Sequence, residues 1–273
     1  MAISILNNIP SLVAQNQLAI TGQNLQRTLF QLSSGSRINS GADDAAGLAI
    51  ADGLHANITA LNQSAQNANS GVGSLQVADG ALAQVTSLLN RAVTLATESS
   101  TGTVSSSQRT ALDAEYTAIK AEINRIGTTA TFNGTSVFTA ATTTIFLSDS
   151  NSSSTIGVAV GVLASSGTGG LGLTSDITTS SNAQSALTEI NSAIQSVAST
   201  RGTIGATINR LQAANTVINN QVQNLTAAED GIRAADISQV VGNLARFSIL
   251  NQTGIASLAQ ANSAQQNVLQ LLR

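Results

Sequence analysis

The sequence predicts a mainly α chain, a long antiparallel coiled-coil or helical-bundle rod with a small central β-hairpin region. Three observations carry this. Apolar residues recur at heptad spacing, uninterrupted by proline, through two long internal stretches. Between those stretches, at about 128–180, β-branched residues gather with glycine turns. At each end lies an amphipathic segment without a charged side chain, from Met1 to Gln26 and from Phe247 to Leu272.

The first segment places Ile5, Ile9, Leu12, Leu18, Leu25, Leu29 and Leu32 at helical spacing, and Pro10 suggests a helix that begins after it. Gly and Ser from Ser33 to Gly41 break the pattern into a loop. Ser40, Asp43 or Asp44 can cap the helix that follows. That helix is expected over about 45–99, with Leu54, Leu61, Ala68, Leu75, Leu82, Leu89 and Ala96 seven residues apart. At 1.5 Å per residue it would be about 80 Å long, a coiled-coil length rather than a globular one.

Thr101 to Ser107 reads as a turn, and Leu112, Tyr116, Ile119, Ile123 and Ile126 mark a further helix. Asn133-Gly134 is a hairpin signal, and Thr144–Leu147 and Thr155–Leu163 read as strands. Ser165 to Gly172 is a loop. Helix resumes near Asn182. One seam position holds Ile190, Val197, Ile204, Leu211, Ile218 and Leu225, and its partner position holds Leu187, Ile194, Arg201, Ile208, Asn215 and Val222. A break is expected at Glu229-Asp230-Gly231. The last helix carries Leu244, Phe247, Ile255, Leu258, Leu269 and Leu272. The mirror order pairs the ends as one discontinuous domain, 1–40 with 235–273. It leaves 41–234 as a helical rod domain holding the β region, with no further outer domain.

Composition narrows the function. Charged residues are 9% of the chain and aromatic residues 2%, with Ser, Thr, Asn and Gln supplying the polarity. Such a surface does little to keep copies apart, which favours polymers. Net charge is -3 and Lys120 is the single lysine, so no basic patch awaits nucleic acid. The absence of Cys excludes disulfides and thiolate metal sites. No apolar run is long enough for a membrane span, and the first residues show no signal-peptide pattern. No cofactor is expected. His55 lies one turn after Asp52, but a straight rod offers no concave site for a Ser-His-Asp arrangement, and a solvated or interfacial histidine is the plainer reading. Asp43 and Asp44 read as acids at a helix start, facing Arg37 or a neighbouring copy, before they read as metal ligands. Gly71 and Gly73 permit close helix approach at about 1 kcal/mol each. Arg201 and Asn215 either face solvent at the edge of the bundle or fix helix register.

Several stretches resemble bacterial flagellin: Arg27 to Ser40 (RTLFQLSSGSRINS), Asp43 to Ala51 (DDAAGLAIA), Leu258 to Asn262 (LAQAN) and Gln266 to Arg273 (QNVLQLLR). Thr131-Phe132-Asn133-Gly134 also looks like the family's hairpin entry. The resemblance covers roughly 1–137 and 181–273 and makes this a short form lacking the variable outer domains. It implies that the terminal helices (Ile5, Ile9, Leu12, Leu18, Leu25, Leu29, Leu32, Phe247, Ile255, Leu258, Leu269, Leu272) form the inner tube of a motility filament, a homopolymer of many copies. Arg37, Asn39, Asp43 and Asp44 would then be loop or interface residues. The implied partners are a flagellar type III export apparatus, a chaperone at the C-terminal helix, and hook-associated and cap proteins. Arg91, Leu95 and Glu115 match positions that animal Toll-like receptors recognise in flagellins of this type, with Thr94 where an acidic residue is usual. A hook–filament junction protein shares similar ends. A chemoreceptor-like signalling rod would need a transmembrane or sensor segment, and no constellation supports an enzyme.

Overall fold

The computed structural model describes residues 8–149 and 154–271. Five helices account for most of the fold: α1 (Ile9–Ser34), α2 (Ala45–Ser100), α3 (Ser106–Thr129), α4 (Ser180–Arg233) and α5 (Ile237–Leu271). Two antiparallel hairpins lie between α3 and α4, β1 (Thr131–Phe132) with β2 (Thr135–Ser136) and β3 (Thr143–Phe146) with β4 (Thr155–Val158). The chain is therefore mainly α with a small central β region, as the heptads and turn signals require. It divides into two compact units, 1–56 with 224–273 and 57–223. Helices α2 and α4 contribute residues to both.

In the 57–223 unit, α2 and α4 run antiparallel. Arg201 Nε donates to Asp79 Oδ1 at 2.7 Å, Asn215 Nδ2 donates to Asn69 Oδ1 at 2.8 Å, and Ser180 Oγ donates to the Ser100 carbonyl at 2.7 Å. The edge positions Arg201 and Asn215 therefore make interhelix polar contacts. Hydrogen bonding from Arg201 holds the Asp79 carboxyl below the usual range against a smaller effect of burial. Ile190, Val197, Ile204, Leu211 and Ile218 are buried, as heptad reading requires. Their most enclosed companions, however, are Ala183, Ala186, Ala193 and Thr207. Leu187, Ile194, Ile208 and Val222 are half-buried. On α2 the buried positions include Leu61, Leu75, Leu82 and Leu89, so the bundle core combines large side chains with small ones.

A capping box starts α3. Ser105 Oγ accepts from Gln108 N while Gln108 Oε1 accepts from Ser105 N. Tyr116, Ile119 and Ile123 of α3 are buried. Among the described residues the Tyr116 hydroxyl has no hydrogen-bond partner, and burial pushes its pKa up to about 12, with Glu189 and Asp113 adding to the shift. The β region is clipped to α2 through glycines. A Cβ on Gly71 would overlap Ile145, and one on Gly73 would lie 3.2 Å from the Phe132 ring. Gly73 thus admits a hairpin side chain, and Gly71 admits both a hairpin side chain and Leu211 of α4, whose Cδ1 would lie 3.4 Å from a Cβ there. The Asn133-Gly134 turn closes β1–β2.

In the unit of 1–56 and 224–273, α1 and α5 lie antiparallel. Asn8 Nδ2 donates to the Ala261 carbonyl at 3.2 Å and Ser11 Oγ donates to Asn262 Oδ1 at 3.0 Å. Asn8 caps α1 by accepting from Ser11 N, and Gly35 ends it with a left-handed φ of 69°. The expected break at Glu229–Gly231 is not present. Helix α4 runs through to Arg233, and the chain turns at Ala234–Asp236. One glycine within a helix costs only about 1 kcal/mol. Asp236 accepts from the backbone of Ser238 and Gln239, so α5 begins there with its own cap.

Candidate assembly surface

Two helices can bury only one stripe of each other, and on α1 and α5 that stripe mixes large apolar residues with small and polar ones. The inward positions of α1 are Ser11, Ala14, Leu18, Thr21, Leu25, Thr28 and Leu32, spaced alternately three and four apart. Those of α5 are Val240, Leu244, Phe247, Asn251, Gly254, Leu258, Ala261 and Gln265, spaced likewise. Thr21 and Thr28 turn their hydroxyls back to the carbonyls of Gln17 and Asn24, each at 2.8 Å. Gly254 lets α5 approach Leu18, since a Cβ there would lie 3.1 Å from its Cδ1.

A second apolar stripe is left in solvent. Phe30 is 68% exposed and Ile249 63%, and Ile9, Leu12, Val13, Ile20, Leu29, Ile237, Val241, Leu250 and Ile255 are exposed with them. The predicted terminal residues thus separate into two groups. Leu18, Leu25, Leu32, Phe247 and Leu258 are half-buried on the inward face, whereas Ile9, Leu12, Leu29 and Ile255 point outward. Ile5, Leu272 and the side chain of Leu269 lie outside the described residues. Phe30, Val13, Ile20, Ile249 and Leu250 were absent from the sequence expectation. Their signal was available as a second run of apolar residues, offset from the first around the helix.

The loop after α1 is held by charge. Arg27 Nε donates to Asp43 Oδ1 at 2.8 Å, and Asp43 Oδ2 accepts from the backbone N–H groups of Asn39 and Ser40 and from Ser40 Oγ. Burial raises the Asp43 carboxyl, but hydrogen bonds from Ser40, Arg27 and Asn39 outweigh it and leave the group below its ordinary value. Asp43 therefore faces Arg27 rather than Arg37. Arg37 donates through Nη2 to the Ile232 carbonyl at 2.6 Å and through its backbone N–H to the Arg233 carbonyl at 2.7 Å, at the end of α4. Asn39 Nδ2 donates to the Ser36 carbonyl, and Asp44 Oδ1 accepts from Gly47 N at the start of α2. A Cβ at 47 would fall on the side chains of Asp44 and Ile38, so a larger residue there requires both to shift. His55 Nδ1 sits 3.4 Å from Glu229 Oε1, which also faces Arg233.

Arg91 and Glu115 form a two-pronged ion pair across α2 and α3, at 2.7 and 3.0 Å. Leu95 does not join them on the surface. It is 1% exposed, enclosed in the bundle because its position continues the inward stripe of Leu82, Leu89 and Ala92.

The bacterial flagellin N-terminal helical region matches residues 5–143 and the bacterial flagellin C-terminal helical region matches 187–272. A flagellin of Halalkalibacterium halodurans is 37% identical over 268 residues, 98% of each chain. This chain belongs to the bacterial flagellin family. Other flagellin relatives include the flagellar filament 30.7 kDa core protein of Treponema maltophilum, 33% identical over 97% of this chain and 98% of that one. The crystal structure of Bacillus cereus flagellin superposes with a TM-score of 0.50 at 27% identity, covering 60% of this chain and 94% of that one. The matched regions exclude 144–186, which holds β4 and the glycine-rich loop. The flagellin family is structural, so the site to explain is an assembly surface.

Proposed function

We infer that this chain is the structural subunit of a bacterial flagellar filament and that its outward apolar stripe on α1 and α5 is where copies bury one another. The observation that carries this is the number of large apolar side chains that the terminal helix pair leaves outside its single seam. Ser, Thr, Asn and Gly share the inward positions with leucines and Phe247, while Phe30, Ile20 and Ile249 face out. Burying side chains of this size contributes about 1.5–3 kcal/mol each, so neighbouring copies would stabilise helices that are marginal alone. Folding of the ends is then coupled to assembly, and the filament serves swimming motility. The predicted terminal set acts in two ways. Leu18, Leu25, Leu32, Phe247 and Leu258 pair the helices, and Ile9, Leu12, Leu29 and Ile255 meet neighbours.

On this reading subunits leave the cell through a flagellar type III export apparatus and end in an extracellular filament bounded by hook-associated and cap proteins. The exposed face of α5 needs covering before assembly, which supports a chaperone at the C-terminal helix. A Toll-like receptor on this surface would meet Arg91 and Glu115 but not Leu95, which is enclosed. The test is Ile20→Asp combined with Ile249→Asp, two exposed sites whose loss leaves the inward seam intact. Salt-induced assembly followed by electron microscopy should show tubes for the parent chain and none for the variant, with unchanged thermal unfolding of the bundle. Normal tubes from the variant would overturn the assignment of this face.

A further inference from the structure

The chain's single Asn-Gly pair, Asn133-Gly134, forms the turn between β1 and β2. Both residues take left-handed backbone conformations, φ 50° and 76°, the form a two-residue hairpin turn requires. Asn133 is exposed and its side-chain amide makes no hydrogen bond to any described residue. A Cβ built on Gly134 would meet nothing within 4 Å, so the space beside it is open. The flanking strands are two residues long, too short to hold a turn firmly shut. The turn borders a cleft of about 450 Å³ between the two hairpins and α2, and none of its lining residues is charged.

We propose that Asn133 is a self-modification site that converts to aspartate and isoaspartate. When the turn opens, the Gly134 backbone nitrogen attacks Asn133 Cγ. The N–Cγ bond forms, the Cγ–Nδ2 bond breaks, and Nδ2 leaves as ammonia carrying the proton from Gly134 N. The five-membered imide is opened by water. Addition at Cγ restores the main chain with aspartate, and addition at the main-chain carbonyl carbon leaves isoaspartate. Nothing is oxidised or reduced, and water is the only co-reactant. Glycine favours the step because no Cβ shields its nitrogen. Either product adds one negative charge to a net charge of -3, at the edge of an uncharged cleft. Isoaspartate also lengthens the main chain by a methylene at the turn that sets the pairing of Phe132 with Thr135, the strand pair that seats Phe132 against Gly73.

The experiment incubates the intact folded protein in mildly alkaline and mildly acidic buffer and maps peptides by mass spectrometry, with isoaspartate distinguished by fragmentation. Asn191 and Asn262, each followed by Ser within a helix, are internal controls. Asn133 should gain one mass unit at least on the order of tenfold faster than either control, because helix interiors open less often than a short hairpin. The rate should rise from acidic to alkaline buffer, and Asn133→Asp should comigrate with part of the product on charge separation. Conversion of Asn133 no faster than the controls would overturn the proposal, as would conversion seen only after denaturation in urea.

Discussion

Leu89 and Ile249 are both aliphatic residues on long helices. Leu89 is fully enclosed, while Ile249 is 63% exposed. The difference lies in the number of partners. In 57–223, α2 meets α3, α4 and the hairpins, and its inward stripe from Leu61 to Leu95 is closed by several elements. In 1–56 with 224–273, the pair of α1 and α5 closes one seam only. Among the described residues of that unit, the buried apolar side chains are Ile38, Ala51 and Val240. One unit holds its core; the other carries its apolar surface outside, where a neighbouring copy can cover it.

The comparison breaks most visibly if the ends are cut. Removing 247–273 takes away most of α5 and leaves α1 without its antiparallel partner. We expect no salt-induced polymers by sedimentation, together with a cooperative melt retained from the bundle. Polymers from seeded, truncated subunits would show that assembly does not need the paired termini.

A substitution pair sharpens it. Leu89→Ala should destabilise the bundle by about 2–5 kcal/mol, the range for an enclosed leucine. Leu12→Ala, at an outward position, should shift monomer stability by less than about 0.5 kcal/mol and weaken assembly instead. Denaturant unfolding and sedimentation read the two effects separately. Equal losses of monomer stability would erase the contrast between the units.

Glycines in the bundle give opposite signs for one chemical change. A Cβ on Gly127 would collide with the Leu163 carbonyl oxygen, a backbone atom, so Gly127→Ala should cost about 1–3 kcal/mol. At Gly80, within α2, a Cβ meets nothing within 4 Å, so Gly80→Ala should stabilise by about 1 kcal/mol through helix propensity. Thermal melts of the two variants displaced in the same direction would contradict this packing.

These positions also mark what could be read from residues alone. Heptad spacing identified Ile190 to Ile218 as enclosed because an i, i+7 stripe leaves no other face for them. It chose Leu187 as their companion, whereas Ala186 is the more enclosed, because spacing alone does not weigh the space available inside the bundle. It assigned Leu12 and Leu25 to one face although they separate around α1, and it passed over Phe30. Two apolar stripes on one helix carry no label saying which is covered within the subunit. The loop residues Arg37, Asn39, Asp43 and Asp44 were visible as a cluster, whereas the pairing of Asp43 with Arg27 depends on how the chain folds back. Asn215 shows the same limit. Its spacing suggests that Asn215→Leu would stabilise the rod, but Asn215 bonds Asn69 across the bundle and accepts from Asn219. With both bonds lost, we expect a small net destabilisation, below about 1.5 kcal/mol, in denaturant unfolding.

The smallest expected effect is electrostatic and belongs to the start of α4. Asp176 accepts from Asn182 Nδ2 at 2.9 Å, from Thr178 Oγ1 at 2.7 Å and from Thr178 N at 3.0 Å. These bonds favour the carboxylate, with the Asn182 contact first, and hold Asp176 at about 2 against its burial. A carboxyl whose folded value lies below its unfolded value stabilises the fold fully above the unfolded value, near 3.9. The contribution fades as pH falls from about 4 towards 2, where the folded form also takes up its proton. Melting temperature should therefore fall more steeply for the parent than for Asp176→Asn through that window, and the two slopes should agree near neutrality. Because Asp176 is close to solvent, the gain is shallow and is further reduced by salt. A parent and variant with identical acid profiles would mean that these bonds do not favour the charged form. Ile20 lies in a stretch with no charged side chain, Met1 to Gln26, so Ile20→Ala should give the complementary result, a melting profile offset little or not at all and with unchanged acid dependence.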